Sequence, residues 1–169
     1  MQVAGGRLRM DLQIDSFDIR LLNLIQHNNL AGAAELAKHV PLSASAITRR
    51  LRRLRDKGII ARDIALLSPH LLQSRVRALV LLQLQEHSET ALGDLRNSLG
   101  KAEQVQSCFE ISGGFDVAVM VIARDLAAFN EFADEAFARN PAVRRYESSF
   151  IKKEIKNLPL VPLDEADAA

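Results

Sequence analysis

The stretch 47–58, ITRRLRRLRDKG, carries the side chains of this sequence that are best suited to contact a polyanion. Six of its twelve residues are arginine or lysine, and one acidic residue, Asp56, stands among them. A guanidinium group donates hydrogen bonds in a planar fork, which fits a phosphate group or the edge of a guanine. A helix that is only well solvated usually mixes both signs of charge. The stretch therefore favours contact with nucleic acid over a merely solvated surface.

A helical projection divides this stretch into a buried and an exposed face. The aliphatic side chains of Ile47, Leu51 and Leu54 form one stripe. The opposite side carries the residues that we predict to contact DNA: Ser45, Thr48, Arg49, Arg52 and Arg53. Small hydroxyls near the helix N-terminus allow close approach to base edges in the major groove, and arginines one and two turns later can contact bases or phosphates. Three further cations flank the stripe and are expected to contact phosphates at most: Arg50, Arg55 and Lys57.

A second candidate site is the loop SGGFD, Ser112 to Asp116, which stands between two β-like runs. Paired glycines permit positive φ angles, and their usual meaning is simply a hairpin turn. On the residues alone, the loop is predicted to be a hairpin turn.

Catalytic and metal-binding arrangements have little support in the sequence. The four histidines are scattered, and none pairs with a carboxylate or cysteine at ligand spacing: His27, His39, His70 and His87. Cys108 lies on a predicted strand and is expected to be a packed thiol. There is no phosphate-binding glycine loop and no nucleophile elbow. We therefore predict that the protein is not an enzyme and has no cofactor and no metal site.

Charge and hydropathy bound the class of protein. Residues 1–75 have a net charge of +6 and residues 76–169 have a net charge of −5. The two parts are therefore expected to have different partners, with the basic part as the candidate for DNA. The longest apolar run, 117–123, is far shorter than the ~20 residues that a membrane helix requires. No signal peptide is visible, and a single cysteine excludes an intrachain disulfide. These features indicate a cytoplasmic protein without membrane contact.

The basic stretch is predicted to be the last of three short helices. Residues 14–27 place apolar side chains at helical spacing, and residues 33–40 form a shorter helical pattern that ends before a proline. Ser43 is a good N-cap for the third helix, which runs to about Lys57, and Gly58 closes it. A tight turn joins the last two helices, which makes a helix-turn-helix.

From Arg77 onwards, strand and helix patterns alternate. Strands are predicted at 77–85, 105–112, 116–123 and 143–154, and helices at 89–99 and 125–138. The order β-α-β-β-α-β is that of a ferredoxin-like fold. The predicted fold class is therefore α+β.

Five segments, taken in order, carry a more specific signal than any of them alone. They are IDSFDIRLLNLIQHN, AELAKHVPLSASAITRRLRRLRDKGII, ALLSPHLL, SCFEISGGFDVAV and SSFIKKEIKNLPL. This set, from about Ile14 to Leu160, resembles the Lrp/AsnC (feast/famine) family of transcriptional regulators. The resemblance implies a winged helix-turn-helix followed by a ferredoxin-like βαββαβ sandwich, assembly of dimers into larger even-numbered rings, and regulation by a free amino acid.

The resemblance also implies an effector pocket between dimers. Four loop residues would form part of it: Gly113, Gly114, Phe115 and Asp116. Ser148, on the last strand, matches a hydroxyl position that a neighbouring subunit contributes. Gly114 stands where the family usually has an acidic or amide residue, so we expect modest affinity for several amino acids.

These inferences predict five segments along the chain. They are a disordered leader at 1–12, a helix-turn-helix DNA-binding domain at 13–62, a linker at 63–76, a ferredoxin-like effector-binding and oligomerisation domain at 77–157, and a tail at 158–169. The tail is acidic and interrupted by prolines, and it is expected to fray.

The sheet itself also predicts a homo-oligomer. A four-stranded sheet covered by two helices leaves its other face without a partner. Val80, Leu82, Val119 and Val121 are expected to supply apolar surface there. A dimer through that face would present two recognition helices to successive DNA half-sites.

We therefore interpret the chain as a cytoplasmic, nucleoid-associated, homo-oligomeric regulator of transcription. It would bind double-stranded DNA sequence-specifically and respond to a small molecule, expected to be an amino acid. The alternative is a nucleoid-architectural protein that wraps DNA with low sequence preference. A sensing module without DNA binding is disfavoured by the intact arginine face. A sirohaem decarboxylase, similar in architecture, is disfavoured because CFEISGGFDVAVMVI contains no histidine or tyrosine.

Overall fold

The computed structural model describes residues 14–72, 74–85 and 89–168. It divides the chain into two compact units. The first unit contains the residues up to 65 together with those from 157 onwards, and the second unit contains residues 66–156. The first unit is therefore discontinuous in sequence, and the chain passes between the units twice. The predicted leader, 1–12, and His87 lie outside the described residues. No helix within the described ranges is long and apolar enough to cross a membrane.

Three helices form the first unit: α1 (Ser16–His27), α2 (Ala33–Leu36) and α3 (Ala44–Asp56). Their apolar sides meet in one core, whose most deeply buried apolar members are Leu21, Leu36, Val40, Ile47 and Leu54. A capping box starts α1, because the side chains of Asp15 and Asp18 each accept a hydrogen bond from the backbone N–H of the other. This reciprocal pair satisfies two N–H groups that a helix start would otherwise leave unpaired.

The helix-turn-helix is formed by α2, α3 and the residues between them. The helix α2 is shorter than predicted, because the N–H groups of Lys38 and His39 bond to carbonyls three residues back, which tightens the chain into turns. Ser43 is the N-cap of α3, and its Oγ accepts from the N–H of Ala46 at 3.2 Å. Gly58 has a φ of 71°, the left-handed conformation in which glycine commonly follows a helix.

The second unit is one antiparallel sheet with two helices. Its elements are β1 (Val76–Leu84), α4 (Glu89–Lys101), β2 (Val105–Glu110), β3 (Val117–Ala123), α5 (Leu126–Ala133), which continues as a π-helical turn (Asp134–Ala138), and β4 (Val143–Phe150). The strand order is β2-β3-β1-β4. The predicted α+β class, a helix-turn-helix followed by a ferredoxin-like βαββαβ sandwich, is confirmed.

The last strand ends earlier than predicted, for a reason that lies in its neighbour. Phe150 is paired with Ala78, and the N–H of Ile151 donates to the carbonyl of Arg77 at 2.8 Å. Since β1 begins at Val76, residues beyond 151 have no strand beside them. Cys108, expected to be packed, is exposed, because it lies on the edge strand β2.

The prediction of which residues form the open face of the sheet is wrong. The side chains of Val80, Leu82, Val119 and Val121 are all fully buried in the core of the second unit. The opposite face carries their sequence neighbours, which are only partly buried: Leu79, Leu81, Ala118, Met120 and Ile122. Both faces of β1 and β3 are apolar, so the sequence pattern does not say which set of alternating residues faces the helices.

The C-terminal tail was expected to fray, but it is ordered and packs on the first unit. Asp164 caps a short 3-10 turn, Glu165–Asp167, and the side chains of Leu163 and Ala168 pack against the core of the first unit. The backbone before this turn is hydrogen-bonded to α1. The composition of the tail is typical of a loose end, but its few apolar residues have a surface to bury against.

Candidate nucleic-acid interface and effector site

Four of the five residues predicted to contact DNA share one exposed face of α3. Ser45, Thr48, Arg49 and Arg52 are all exposed. The Thr48 hydroxyl donates to a backbone carbonyl one turn earlier at 2.9 Å. The side chain of Arg52 is 84% exposed, and its Nε lies 3.9 Å from a carboxylate oxygen of Asp56. An exposed i,i+4 pair of this kind is weak and leaves the guanidinium able to bind elsewhere.

The fifth residue, Arg53, is placed differently. Its guanidinium pairs with Asp18, whose side chain is 0% exposed. Its Nε is buried and has no hydrogen-bond partner among the described residues. Arg50 lies on the same side of α3, with Nη1 2.7 Å from Asp15 and 2.9 Å from Asp18. These two arginines therefore hold α3 against α1. A DNA contact by Arg53 stays a prediction, and its partly exposed side chain would have to make that contact while remaining paired with Asp18.

The acid–arginine cluster has electrostatic consequences for its members. Burial raises the pKa of Asp15, but hydrogen bonds from the backbone of Asp18 and from Arg50 outweigh this effect and lower the pKa overall. Hydrogen bonds to Asp15 and Asp18 raise the pKa of Arg50. The cluster is not apparent from the sequence, because its partners lie 32 to 35 residues apart. Its one sequence signal is that two acids at the start of α1, the N-cap Asp15 and Asp18, have the same i,i+3 spacing as two arginines on α3.

Arg55, on the far end of α3, also has a structural partner. Its Nε lies 3.0 Å from Asp63, and Asn29 donates to the other oxygen of the same carboxylate at 2.9 Å. The hydrogen bond from Arg55 lowers the pKa of Asp63. Arg55 therefore ties the segment after α3 to the loop after α1, which limits its use for phosphate contact.

Asp116 fixes the base of the SGGFD loop. Its N–H donates to the carbonyl of Leu82 at 2.9 Å, and its carbonyl accepts from the N–H of Ile111 at 2.9 Å. Its carboxylate Oδ2 accepts from the N–H of Leu84 at 2.8 Å. Gly113, at the tip, has a φ of 156°. The loop is thus a hydrogen-bonded turn with a structural role, and a ligand could use only the remaining carboxylate oxygen and the exposed N–H groups.

The other predicted effector residues lie on and around β4. The guanidinium carbon of Arg145 is 5.2 Å from the centre of the Phe115 ring, within the range of a cation–π contact. Ser148 is paired with Val80 in the sheet, and its Oγ is buried without a hydrogen-bond partner in the described part of the chain. The fold therefore brings Gly113, Gly114, Phe115 and Asp116 together in one loop and places Ser148 separately, on β4.

An open cleft of about 460 Å³ lies elsewhere in the second unit. Its lining is formed by Thr90, Ala91, Asp94, Ser98 and residues 140–142. None of the predicted effector residues lines it, so the size of this cleft is no argument for the SGGFD site.

Two family models match this chain. The AsnC-type helix-turn-helix domain matches residues 14–55, and the Lrp/AsnC ligand binding domain matches residues 77–161. The chain belongs to the Lrp/AsnC family. The exposed face of α3 therefore lies within the DNA-binding domain of this family, and the SGGFD loop lies within its ligand-binding domain.

Relatives across bacteria resemble the chain over nearly its whole length. The leucine-responsive regulatory protein of Serratia marcescens is 28% identical over 154 residues, which are 91% of this chain and 94% of that protein. The regulator AzlB of Bacillus subtilis is 26% identical over 92% of this chain and 99% of its own. A regulator of Neisseria meningitidis, solved in complex with L-methionine, has a TM-score of 0.81 and 32% identity over 90% of this chain and 99% of that one. This Lrp/AsnC chain is thus a DNA-binding transcriptional regulator, and its relatives are regulators rather than enzymes.

Proposed function

We propose that this Lrp/AsnC protein binds double-stranded DNA sequence-specifically through α3 and that an amino acid modulates its activity. The single observation that carries the DNA-binding part is the exposed face with Ser45, Thr48, Arg49 and Arg52. The two hydroxyls stand near the helix N-terminus, where a recognition helix approaches base edges most closely. In the described part of the chain no buried acid holds these two arginines, unlike Arg50 and Arg53, and they can reach guanines or phosphates. Arg53 contributes a phosphate contact through its exposed part.

The SGGFD loop is the proposed effector site. The backbone N–H groups of Gly113 and Gly114 suit a carboxylate, and the unused oxygen of Asp116 suits an ammonium group. Phe115 adds apolar surface, and Ser148 would come from a neighbouring subunit. The relative solved with L-methionine supports an amino acid as the ligand class. Because Gly114 offers no polar side chain, we expect several amino acids to bind modestly.

The proposed assembly is a dimer, or a higher even-numbered oligomer, formed through the open face of the sheet. Leu79, Leu81, Met120 and Ile122 are apolar and only partly buried there. A second copy would remove this surface from water. DNA binding also requires that the protein share a compartment with the chromosome, so we propose a cytoplasmic, nucleoid-associated location. The comparisons give no support to the nucleoid-architectural alternative.

Replacing Arg49 and Arg52 together by alanine tests the DNA-binding proposal. Each lost base contact should cost ~1–3 kcal/mol of binding free energy, so specific binding is lost while melting temperature and oligomeric mass stay unchanged. The matched control is Arg124→Ala, which removes an arginine that is 82% exposed on the second unit. Binding is measured on the strongest site from a genome-wide binding map, at several salt concentrations because phosphate contacts weaken with salt. Full operator affinity in the double variant contradicts the proposal, and broad genomic coverage favours the architectural alternative.

A further inference from the structure

The C-terminal segment is held on α1 by two side-chain amides that grip its backbone. Asn23 Nδ2 donates to the carbonyl of Leu163 at 2.9 Å, and Asn23 Oδ1 accepts from the N–H of the same residue at 3.4 Å. Gln26 repeats the arrangement with Val161, donating to its carbonyl at 3.0 Å and accepting from its N–H at 2.7 Å. Each amide therefore satisfies both backbone groups of one tail residue, as a neighbouring β-strand would.

The spacing of the two amides on α1 matches the spacing of the two tail residues that they bind. Asn23 and Gln26 are one turn apart on α1 and face the same way. Val161 and Leu163 are two residues apart, so in an extended chain their backbone groups point in the same direction. The two prolines that flank Val161 favour this extended path. The outer face of α1 is thus a seat for an extended segment.

An apolar anchor follows the two backbone contacts. Leu163 packs its side chain against the core of the first unit, as does Ala168 after the 3-10 turn. The Val161 side chain is 59% exposed. The segment therefore buries one side and leaves the other exposed to water. The Leu163 side chain and the backbone hydrogen bonds contribute more to its binding on α1 than the Val161 side chain does.

The same helix that seats the tail also holds the recognition helix. Asp18 of α1 pairs with Arg50 and Arg53 of α3, while Asn23 and Gln26 hold the tail. The tail continues directly from residue 156, the last of the second unit. The seated tail thus connects residue 156, through the chain, to the helix that orients α3.

We propose that residues 161–168 act as a strap and the Asn23–Gln26 face of α1 as its seat, within one chain. The bonds are few and partly exposed, so each alone is weak, but covalent connection keeps the tail at high effective concentration near its seat. Seating limits the connection between residue 156 and the seat to residues 157–160, and release lengthens it. The inference does not depend on which ligand the SGGFD loop binds, or on whether it binds one.

Hydrogen exchange in the full chain tests the seat directly. In the Asn23→Ala/Gln26→Ala variant, the amides of Val161 and Leu163 should exchange at least tenfold faster than in the wild type. Amides of the helix cores should keep their rates, which separates release from unfolding. Arg20→Ala is the matched control, because it removes an exposed side chain from the same helix. Unchanged exchange at Val161 and Leu163 in the double variant overturns the proposal.

A second pair of variants tests the anchor. Cleavage by an endoproteinase specific for glutamate should occur after Glu165 at least tenfold faster in Leu163→Ser than in the wild type. Val161→Ser, a change of similar polarity two residues earlier, should leave the rate close to that of the wild type, because its side chain is exposed. Equal rates in the two variants overturn the assignment of Leu163 as the anchor.

Crosslinking tests whether the tail docks on α1 of its own chain or on α1 of a second copy. A short bis-maleimide added to the His27→Cys/Val161→Cys/Cys108→Ser variant, which replaces two exposed side chains and keeps Asn23, Gln26 and Leu163, should give a product with the mobility of a single chain. A product of two linked chains would mean that a second copy supplies the strap, and it would overturn the proposal of docking within one chain.

Discussion

Among single residues, Asp18 is a buried acid that joins α1 to α3. It is fully buried, caps α1 through its partner Asp15, and receives Arg50 and Arg53 from α3. Removing one partner from a buried pair leaves charge without compensation, which usually costs ~3–5 kcal/mol. The two arginines keep some exposure, 24% and 39%, so water can offset part of that loss.

We therefore expect Asp18→Ala to lower the free energy of unfolding by at least ~2 kcal/mol. This loss is smaller than that for a fully buried ion pair, because the two arginines are partly exposed to water. Arg49→Ala, on the exposed face of the same helix pair, should change it by less than ~0.5 kcal/mol. Urea denaturation of both variants gives the comparison. Similar small effects from the two changes would show that the cluster does not stabilise the unit.

The Asp15 carboxyl gives this cluster a pH dependence. Burial raises its pKa, yet the hydrogen bonds from Asp18 and Arg50 prevail and lower it below the usual value of about 3.9. A carboxyl with a lowered pKa in the folded state stabilises the protein above its unfolded pKa, and this stability is lost as pH falls through the folded pKa. The melting temperature of the wild type should thus fall below about pH 4, and that of Asp15→Asn should fall less. Parallel curves would contradict this.

At the same scale, the sequence predicts exposure better than it predicts pairing. The helical projection identified the buried stripe of Ile47, Leu51 and Leu54 correctly, because hydrophobic burial follows the helix period. It assigned Arg53 to the solvent-exposed side, because the projection of one helix contains no information about an acid on another helix. Asp18 lies 35 residues away from Arg53 in sequence, and only the packing of α1 on α3 brings them together.

Among the elements, the turn between β2 and β3 depends on Asp116. Its carboxylate accepts from the N–H of Leu84, a residue that is 5% exposed. Asp116→Ala should therefore lower stability by ~1–3 kcal/mol, the cost of a buried donor left unpaired. If the loop were a simple turn, the same substitution would leave the stability almost unchanged.

This structural role decides which variant tests the effector site. Asp116→Asn keeps an oxygen acceptor for Leu84 and removes the charge that an ammonium group needs. Calorimetric titration with the twenty amino acids should show binding to the wild type and weaker binding to Asp116→Asn at unchanged melting temperature. If no amino acid binds the wild type, or if the asparagine variant binds equally well, the proposed effector site is wrong and the DNA-binding face is unaffected.

The sheet illustrates where a pattern of elements stops being informative. The order of strands and helices followed from alternation in the sequence and from glycine-rich turns. The orientation of β1 and β3 did not, because their residues are apolar at both odd and even positions. Val80 and Leu81 are equally apolar, and only contact with α4 and α5 assigns the first to the core.

For the whole molecule, the open face of the sheet predicts self-association. Leu81→Arg/Met120→Arg puts two charges in the middle of the proposed dimer interface without touching the buried core. We expect the sedimentation mass to fall to that of one chain at micromolar concentration, with the melting of the second unit retained. Thr90→Arg, an exposed position on α4, is the control and should leave the mass unchanged. An unaltered mass in the double variant would place the interface elsewhere.

The discontinuous first unit also determines the order in which the protein is completed during synthesis. Domains usually fold as units while the chain is made, starting from the N-terminus. Here α1, α2 and α3 leave the ribosome before residues 66–156, but the segment that packs on α1 emerges after those residues. Residues 66–156 form a continuous unit and can fold in between. A nascent chain halted before residue 157 would carry all of the second unit and a bare α1. The first unit is therefore begun before the second unit and completed after it.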